Sequence, residues 1–259
     1  MKITVITVCF NAAKSIEPTI LSVINQTYPQ IEYIIVDGAS TDGTLTIIRK
    51  YQNQISCVIS EPDSGIYDAM NKGVRLATGD WIIFMNAGDC FHDCEVCQAA
   101  MDQMEGHPTI VYGNTFMKYF FGELVKQPFP IHELMWHMVF IHQSCFIQAS
   151  YQKTHLYRLT YKITSDYDFF HRAYMDGVSF GYLNMVISDY EASYGISSSN
   201  FLSFEKEMAD INGIHRNLTW DLLLYIRYFW YCMKQRVKKM LPSTIVLKIK
   251  MWKNSRNIA

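Results

Sequence analysis

Four short apolar runs in the first third of the chain each end in a polar cluster. The runs are Ile3-Thr-Val-Ile-Thr-Val8, Ile31-Glu-Tyr-Ile-Ile-Val36, Ile55-Ser-Cys-Val-Ile59 and Trp81-Ile-Ile-Phe-Met85. They lead into Cys9-Phe-Asn11, Asp37-Gly-Ala-Ser-Thr-Asp42, Ser60-Glu-Pro-Asp63 and Asn86-Ala-Gly-Asp89. Runs of this length and makeup read as buried strands, and a helical stretch separates each from the next. Such alternation argues for an α/β fold: a mainly parallel central sheet, doubly wound, with helices on both faces. In sheets of this kind ligands settle at the carboxyl ends of the strands, where the strand order reverses. The polar clusters, far apart in sequence, are therefore expected to converge on one crevice.

The intervening helices are legible. Ile16 to Gln26 places Ile16, Ile20, Val23 and Ile24 on one face, with Ser15 as its expected cap and Pro18 in its first turn. Asp42 is expected to cap a second helix with Leu45 and Ile48 inward. Gly65 to Ala77 gives a third, with Ile66, Met70 and Val74 on one stripe. Further along, Glu95 to Met104 reads as a helix, Thr109 to Tyr112 as a strand ending at Gly113-Asn114, and Thr164 to Asp176 as a helix. Phe204 to Arg216 is another helix candidate. Thr219 is expected to cap a long aromatic-basic helix from Trp220 to Lys239. Lys118 to Ser150 has no clean period and reads as active-site loops and short strands. The expected division is a domain over 1–218, with a nucleotide-binding half (1–113) and an acceptor-binding half (114–218), followed by a helical basic tail over 219–259.

Charge sets the tail apart. The 259 residues carry a net charge of −1, but eight Lys and Arg and no acid lie from Lys234 onward. Taking those eight from the 23 basic groups leaves 15 against 24 acidic groups in the rest, a net of −9. Leu222, Leu223, Ile226, Trp230 and Met233 recur at three- and four-residue steps just before this basic run. An aromatic-apolar stripe with a basic end suits a helix in a membrane interface; packing on the catalytic domain or in a homodimer is the alternative. No apolar run reaches the roughly 20 residues needed to span a bilayer. Seven Cys and no signal peptide point to a reducing cytoplasm. The expected location is the inner face of the cytoplasmic membrane, with no nucleic-acid partner.

The chain has no G-x-G-x-x-G after the first strand and no G-x-x-x-x-G-K-[ST]. Both absences count against a dinucleotide oxidoreductase and a P-loop phosphotransferase. A doubly wound sheet can instead hold phosphates through Mg²⁺ or Mn²⁺ on a carboxylate, with phosphates and water completing the shell. Asp89, just past the fourth run, is placed for that role; Asn86 to Asp89 also reads simply as a turn. Asp37 can accept from a base or ribose, or cap the turn at Gly38. Thr7 and Asn11 flank the first loop and can face a base.

These segments carry a resemblance. Thr7-Val-Cys-Phe-Asn11, Gln26-Thr-Tyr-Pro29, Tyr33 to Thr44, Ser60 to Gly73 and Ala77 to Asp89 resemble family 2 glycosyltransferases, in particular the bacterial branch that builds capsules, exopolysaccharides and O-antigens. The likeness resumes at Tyr161 to Arg172 and, more faintly, at Tyr194-Gly-Ile-Ser197. It implies a GT-A fold and an inverting transfer of sugar from a nucleotide-sugar donor, UDP-linked by expectation, to a glycan or lipid-linked acceptor. It places Thr7, Phe10, Asn11, Asp37, Asp63, Asn71 and Asn86 along the donor, and Mn²⁺ or Mg²⁺ on Asp89. Ala87 and Gly88 stand where a second acid is common, so Asp89 implies a variant metal site. Asp166 aligns with the general base, with Ser165 in place of the usual first acid and Arg172 aligned with a basic residue.

An inverting transfer needs one carboxylate to take the acceptor proton. Asp168 is about 200° around the helix from Asp166 and cannot share its face; it stands as the secondary candidate. His132, His137 and His142 are candidates for the acceptor pocket, with His142-Gln143 expected on a strand. Cys90, Cys94, Cys97 and His92 match no common zinc spacing. Two other functions compete. A sugar nucleotidyltransferase would want a Gly-rich basic loop, which Asn11-Ala-Ala-Lys14 lacks. A non-catalytic nucleotide-sugar-binding protein would explain the missing second acid.

Overall fold

The computed structural model describes residues 1–104, 106, 108–192 and 200–256. Tyr194-Gly-Ile-Ser197 lies outside the described residues. The first half runs β1 (Ile3–Cys9), α1 (Ile16–Ile24), β2 (Ile31–Asp37), α2 (Thr44–Lys50), β3 (Cys57–Ser60), α3 (Ile66–Leu76) and β4 (Trp81–Phe84). Then come β5 (Cys90–Phe91), α4 (Val96–Gln103), β6 (Ile110–Tyr119), β7 (Gly122–Lys126), β8 (Cys145–Gln148), α5 (Ala149–Thr154), α6 (Ser165–Met175) and β9 (Phe180–Glu191). Three further helices close the chain: α7 (Phe201–Ile211), α8 (Leu218–Met240) and α9 (Ser243–Arg256).

The sheet order is β3-β2-β1-β4-β8-β6-β9-β5, with β7 added on β6. β3, β2, β1 and β4 are parallel, and β8 enters antiparallel beside β4. The order reverses at β1, whose two neighbours are β2 and β4, so the crevice opens beyond Cys9 and Phe84. Every residue of β1 and β4 is buried. Alternate side chains feed two cores. Ile6, Val8, Ile34, Val36, Ile82 and Phe84 pack with α3 and α6 on one face; Ile3, Val5, Tyr33, Ile35, Trp81 and Ile83 pack with α1 and α4 on the other. Burial on both faces is why these strands read as continuous apolar runs.

Several expectations need correcting. Ser15 makes no side-chain cap bond to α1; its hydroxyl turns back to the Ala12 carbonyl at 3.4 Å. The N-cap of α2 is Gly43, in the left-handed region, and not Asp42, which sits one residue earlier and accepts the Thr44 N–H at 3.1 Å. The strand expected to stop at Gly113-Asn114 runs on to Tyr119, through register shifts against β9 at those two residues. A Cβ on Gly113 would come 2.7 Å from Ile187 Cδ1 and 2.9 Å from the Met185 carbonyl, so close approach at the bulge needs this glycine. His142 and Gln143 lie in a 3₁₀ turn, His142–Ser144, ahead of β8 rather than on a strand. Asn217, not Thr219, caps α8 by accepting the Trp220 N–H at 2.9 Å. The basic end is a second helix, α9, set off by Pro242.

At the amino-terminal edge of the sheet, Glu32 is buried under four donors. It accepts from Thr4 Oγ1 at 2.6 Å, Thr78 N at 2.6 Å, Lys2 Nζ at 2.9 Å and the Thr78 hydroxyl. Burial alone would raise its pKa, but the donors outweigh it and pull the carboxyl from 4.5 down to about 2. The stability this adds is complete above about pH 4.5 and is lost as pH falls through about 2. Linkage caps it at roughly 3 kcal/mol. Glu32→Gln is expected to lower Tm at pH 7 by up to about 10 °C. Melts recorded at falling pH should show the gap to wild type closing in the acid range.

Candidate active site

The loops after β1 and β2 are stitched together at the crevice. Gly38 N donates to the Cys9 carbonyl at 2.9 Å, Asn11 N to Ser40 Oγ at 2.7 Å, and Thr41 N to Asn11 Oδ1 at 2.9 Å. Asn11 (φ 49°) and Ala39 (φ 61°) both sit in the left-handed region. For Ala39 that costs on the order of 1 kcal/mol, held in place by these bonds. A Cβ on Gly38 would meet Asp63 Oδ2 at 2.5 Å and the Phe10 ring at 3.4 Å. Phe10, Asn11, Gly38 and Asp63 thus form one cluster, with the Phe10 ring 65% exposed.

Asp37 lies beneath that cluster with no exposed surface. It accepts from Ser60 Oγ at 2.7 Å, Ser40 N at 3.0 Å and the Cys9 thiol at 3.5 Å. In this arrangement it anchors the turn. Two donor candidates turn away from the crevice. Thr7 is fully buried and donates to the Met85 carbonyl at 2.7 Å, within the sheet. Asn71 is 2% exposed, and its amide is spent on the Tyr157 backbone, N–H at 2.9 Å and carbonyl at 2.8 Å. Both hold the scaffold rather than line the cavity.

A cavity of about 650 Å³ is lined by Ser15 and Ile66 near this cluster in the chain, but by none of Phe10, Asn11, Asp37 and Asp63. Asn86, Ala87, Gly88 and Asp89 form one wall; Ile163, Thr164, Asp166 and Tyr167 form another, so the cavity joins Asp89 to Asp166 across 77 residues of sequence. Asp89 is 6% exposed. Burial pushes its carboxyl up to about 7, against the pull of the Glu191 N–H and the Gln143 side chain. The Glu191 N–H reaches it at 3.2 Å. Asn86 Oδ1 is buried there without a hydrogen-bond partner. The Asp89 carboxylate, with Glu191 also lining the cavity, and an orphaned amide oxygen fit a hard cation that takes few protein ligands and completes its shell with phosphates. Among the described residues no three His, Cys, Asp or Glu side chains converge as a cage for a metal ion.

Asp166 is the second residue of α6 and half-buried. Its Oδ1 accepts from Tyr167 N at 2.9 Å and faces the Tyr67 hydroxyl at 2.9 Å. Burial raises its pKa, opposed by these two bonds and reinforced by the charge of Glu207. Asp168 points elsewhere. It is 2% exposed and clamped between Arg172 Nε at 3.0 Å and Arg158 Nη1 at 3.3 Å. Arg172 is spent on this pair and on the Leu156 carbonyl, and neither residue lines the cavity.

His142 does line it, but its ring is buried against Phe84 and Phe170 and paired with the Tyr157 hydroxyl at 2.8 Å. Burial drops its pKa to about 3, so it stays neutral. His137 also lines the cavity, whereas His132 is exposed outside it. Cys90, Cys94, Cys97 and His92 diverge: Cys97 is in the core, Cys94 faces solvent, and His92 pairs with Asp189 at 2.6 Å. Sequence reasoning passed over Tyr67, although it sits inside the Ser60 to Gly73 motif, and Glu207, which no motif marks.

The model of glycosyl transferase family 2 matches residues 4–189. The chain belongs to this family. A PGL/p-HBAD biosynthesis glycosyltransferase of Mycobacterium bovis is 29% identical over 199 residues, covering 73% of this chain and 76% of its own. Among solved structures, S. aureus TarS 1–349 in complex with UDP superposes with a TM-score of 0.63 at 19% identity, over 82% of this chain and 65% of that one. The chain thus spans less than two thirds of that TarS fragment, which is also solved with UDP-GlcNAc. The mannosyltransferase PcManGT from Pyrobaculum calidifontis, in complex with GDP-Man and Mn²⁺, gives a TM-score of 0.63 at 17% identity, over 96% of this chain and 79% of that one. These neighbours share the GT-A fold, a curled, mostly parallel sheet between helices, with this family 2 glycosyltransferase.

Proposed function

We propose that this glycosyltransferase moves a sugar, with inversion, from a nucleotide-sugar donor to a hydroxyl of a glycan or lipid-linked acceptor in cell-surface polysaccharide synthesis. The observation that carries this reading is the single cavity with Asp89 on one wall and Asp166 on the other. Phe10, Asn11 and Asp63 offer the exposed surface for the nucleotide, over a turn held by Asp37. Asn86 and Asp89 would hold Mn²⁺ or Mg²⁺, which when bound neutralises charge growing on the departing diphosphate. Asp166 takes the proton of the attacking hydroxyl, with Tyr67 fixing its carboxylate. TarS with UDP and UDP-GlcNAc, and PcManGT with GDP-Man and Mn²⁺, support testing UDP and GDP donors first. The mycobacterial relative's role in PGL/p-HBAD biosynthesis supports a cell-surface product. In a thermal-shift panel, UDP- or GDP-sugars with Mn²⁺ are expected to raise Tm. A shift only with nucleoside triphosphates would favour a nucleotidyltransferase.

The same proposal divides the chain into a catalytic domain over 1–218 and a peripheral membrane segment over 219–259. Among the described residues no helix is long and apolar enough to cross a membrane. Outward on α8, Leu222 is 62% exposed, and Phe229 and Trp230 are each 59% exposed, ahead of the basic end. Such a face suits an anionic leaflet, where each Lys or Arg adds about 1 kcal/mol. The tail is also tied to the body: Leu224 and Val246 are buried, and Leu247 fills the space over Gly122. Point variants therefore test the face better than truncation. Phe229→Ser with Trp230→Ser is expected to reduce flotation with phosphatidylglycerol liposomes, and raised salt to weaken it further. Equal flotation of variant and wild type would assign the face to packing or a homodimer.

A further inference from the structure

Asp166 can act only if the chain entering α6 presents it to the cavity, and that entry is held by a carboxylate from another helix. Glu207 of α7 accepts Lys162 N at 2.9 Å on Oε1. Its Oε2 accepts Ile163 N at 3.0 Å, Thr164 N at 2.9 Å and Thr164 Oγ1 at 2.9 Å. These amides precede α6, whose own boundary residue, Thr164, makes no side-chain cap bond. Glu207 thus pins the segment entering α6 from outside and sets a negative charge near the positive helix end. The same stretch of chain grips the other side, where the Tyr167 hydroxyl donates to Asn212 Oδ1 at 2.7 Å. Phe204 and Met208, on α7 beside Glu207, line the cavity.

We infer that Glu207 is the positioning residue for Asp166, and that α7, beyond the stretch matched by the family model, is a working part of the acceptor side. Its bearing on catalysis rests on the reading of Asp166 as base; the hold of Glu207 on Asp166 does not. A purely structural clamp would alter stability alone. A positioning role also moves the carboxyl itself, because Glu207 lies close enough to raise the proton affinity of Asp166. The other groups around Asp166 are Tyr67, Tyr157 and Tyr190, phenols whose pKa values are all raised, with Lys162, Asp89, Glu191, His137 and His142 on the walls of the same cavity. None of these is altered by substituting Glu207.

The test uses full-length protein with ¹³C-labelled aspartate, comparing wild type, Glu207→Gln and Glu207→Ala; the signal lost in Asp166→Asn assigns Asp166. In Glu207→Gln the Asp166 carboxyl is expected to titrate lower than in wild type, because the neighbouring negative charge is gone. The Ile163 and Thr164 amides should exchange about tenfold faster or more. Glu207→Gln keeps size and one acceptor oxygen, so it carries the test even where Glu207→Ala fails to fold. An unmoved titration and unchanged exchange would overturn the inference while leaving Asp166 as base untouched. Undiminished transfer by Asp166→Asn would overturn the base and leave the Glu207 clamp standing.

Discussion

Asp166→Asn is expected to lower sugar transfer by about 10²–10⁴ while leaving donor affinity near that of wild type. The substitution keeps size and can preserve the bonds from Tyr167 N–H and the Tyr67 hydroxyl, which hold the present carboxylate at 2.9 Å each. What it removes is the basic lone pair. The raised pKa of Asp166, driven first by burial, favours proton uptake from an attacking hydroxyl. Because the base must be ionised, transfer should fall as pH is lowered through its pKa. Asp168→Asn is the matched comparison. Its buried carboxylate balances Arg158 and Arg172, which reach solvent at 55% and 22% exposure, so its loss should cost stability, about 2 kcal/mol, rather than chemistry. Steady-state transfer with UDP binding measured alongside separates the two. Wild-type transfer by Asp166→Asn would move the base elsewhere.

Asp89→Ala is expected to remove the Mn²⁺-dependent part of UDP affinity. Residues that merely orient metal ligands typically matter by about 10–100-fold, and a direct ligand should matter more. Ala87 and Gly88 supply no second carboxylate nearby, so little in that loop can substitute. The carboxyl of Asp89 is held near 7 by burial. A cation must therefore displace its proton at lower pH, and apparent Mn²⁺ affinity should weaken as pH falls through 7. Calorimetric titration of UDP with and without Mn²⁺ checks both points. Metal-dependent binding that survives in Asp89→Ala would remove Asp89 from the site.

The parts of the fold that were legible share one cause. β1, β2 and β4 are buried on both faces, so they appear as unbroken apolar runs, and α3 keeps Met70 and Val74 on one stripe. Where that condition fails, so does the reading. Gly113-Asn114 looks like a strand end because the glycine serves a bulge inside a longer strand. β7 alternates at half-burial and β8 has only four residues. The α8–α9 boundary was readable at Leu241-Pro242, since a residue before proline leaves the helical region, but the basic pattern running across it masks the break.

In the site, helix geometry correctly separated Asp166 from Asp168, because two residues around a helix cannot share a face. Thr7 and Asn71 could not be sorted that way. Each is polar and close to the crevice in sequence, and only the fold reveals that their hydrogen bonds go to Met85 and Tyr157. Glu207 left no signal at all: it acts through backbone amides 43 to 45 residues away, and amides carry no sequence.

The most direct measurement of the whole account is a crystal structure grown with UDP and Mn²⁺, with the metal located by anomalous scattering. A manganese peak at the Asp89 carboxylate is expected, with the nucleotide base against Phe10 over the turn held by Asp37, and the Asp166 side of the cavity left free for the acceptor. Nucleotide bound away from this crevice, or manganese on ligands that exclude Asp89, would contradict it.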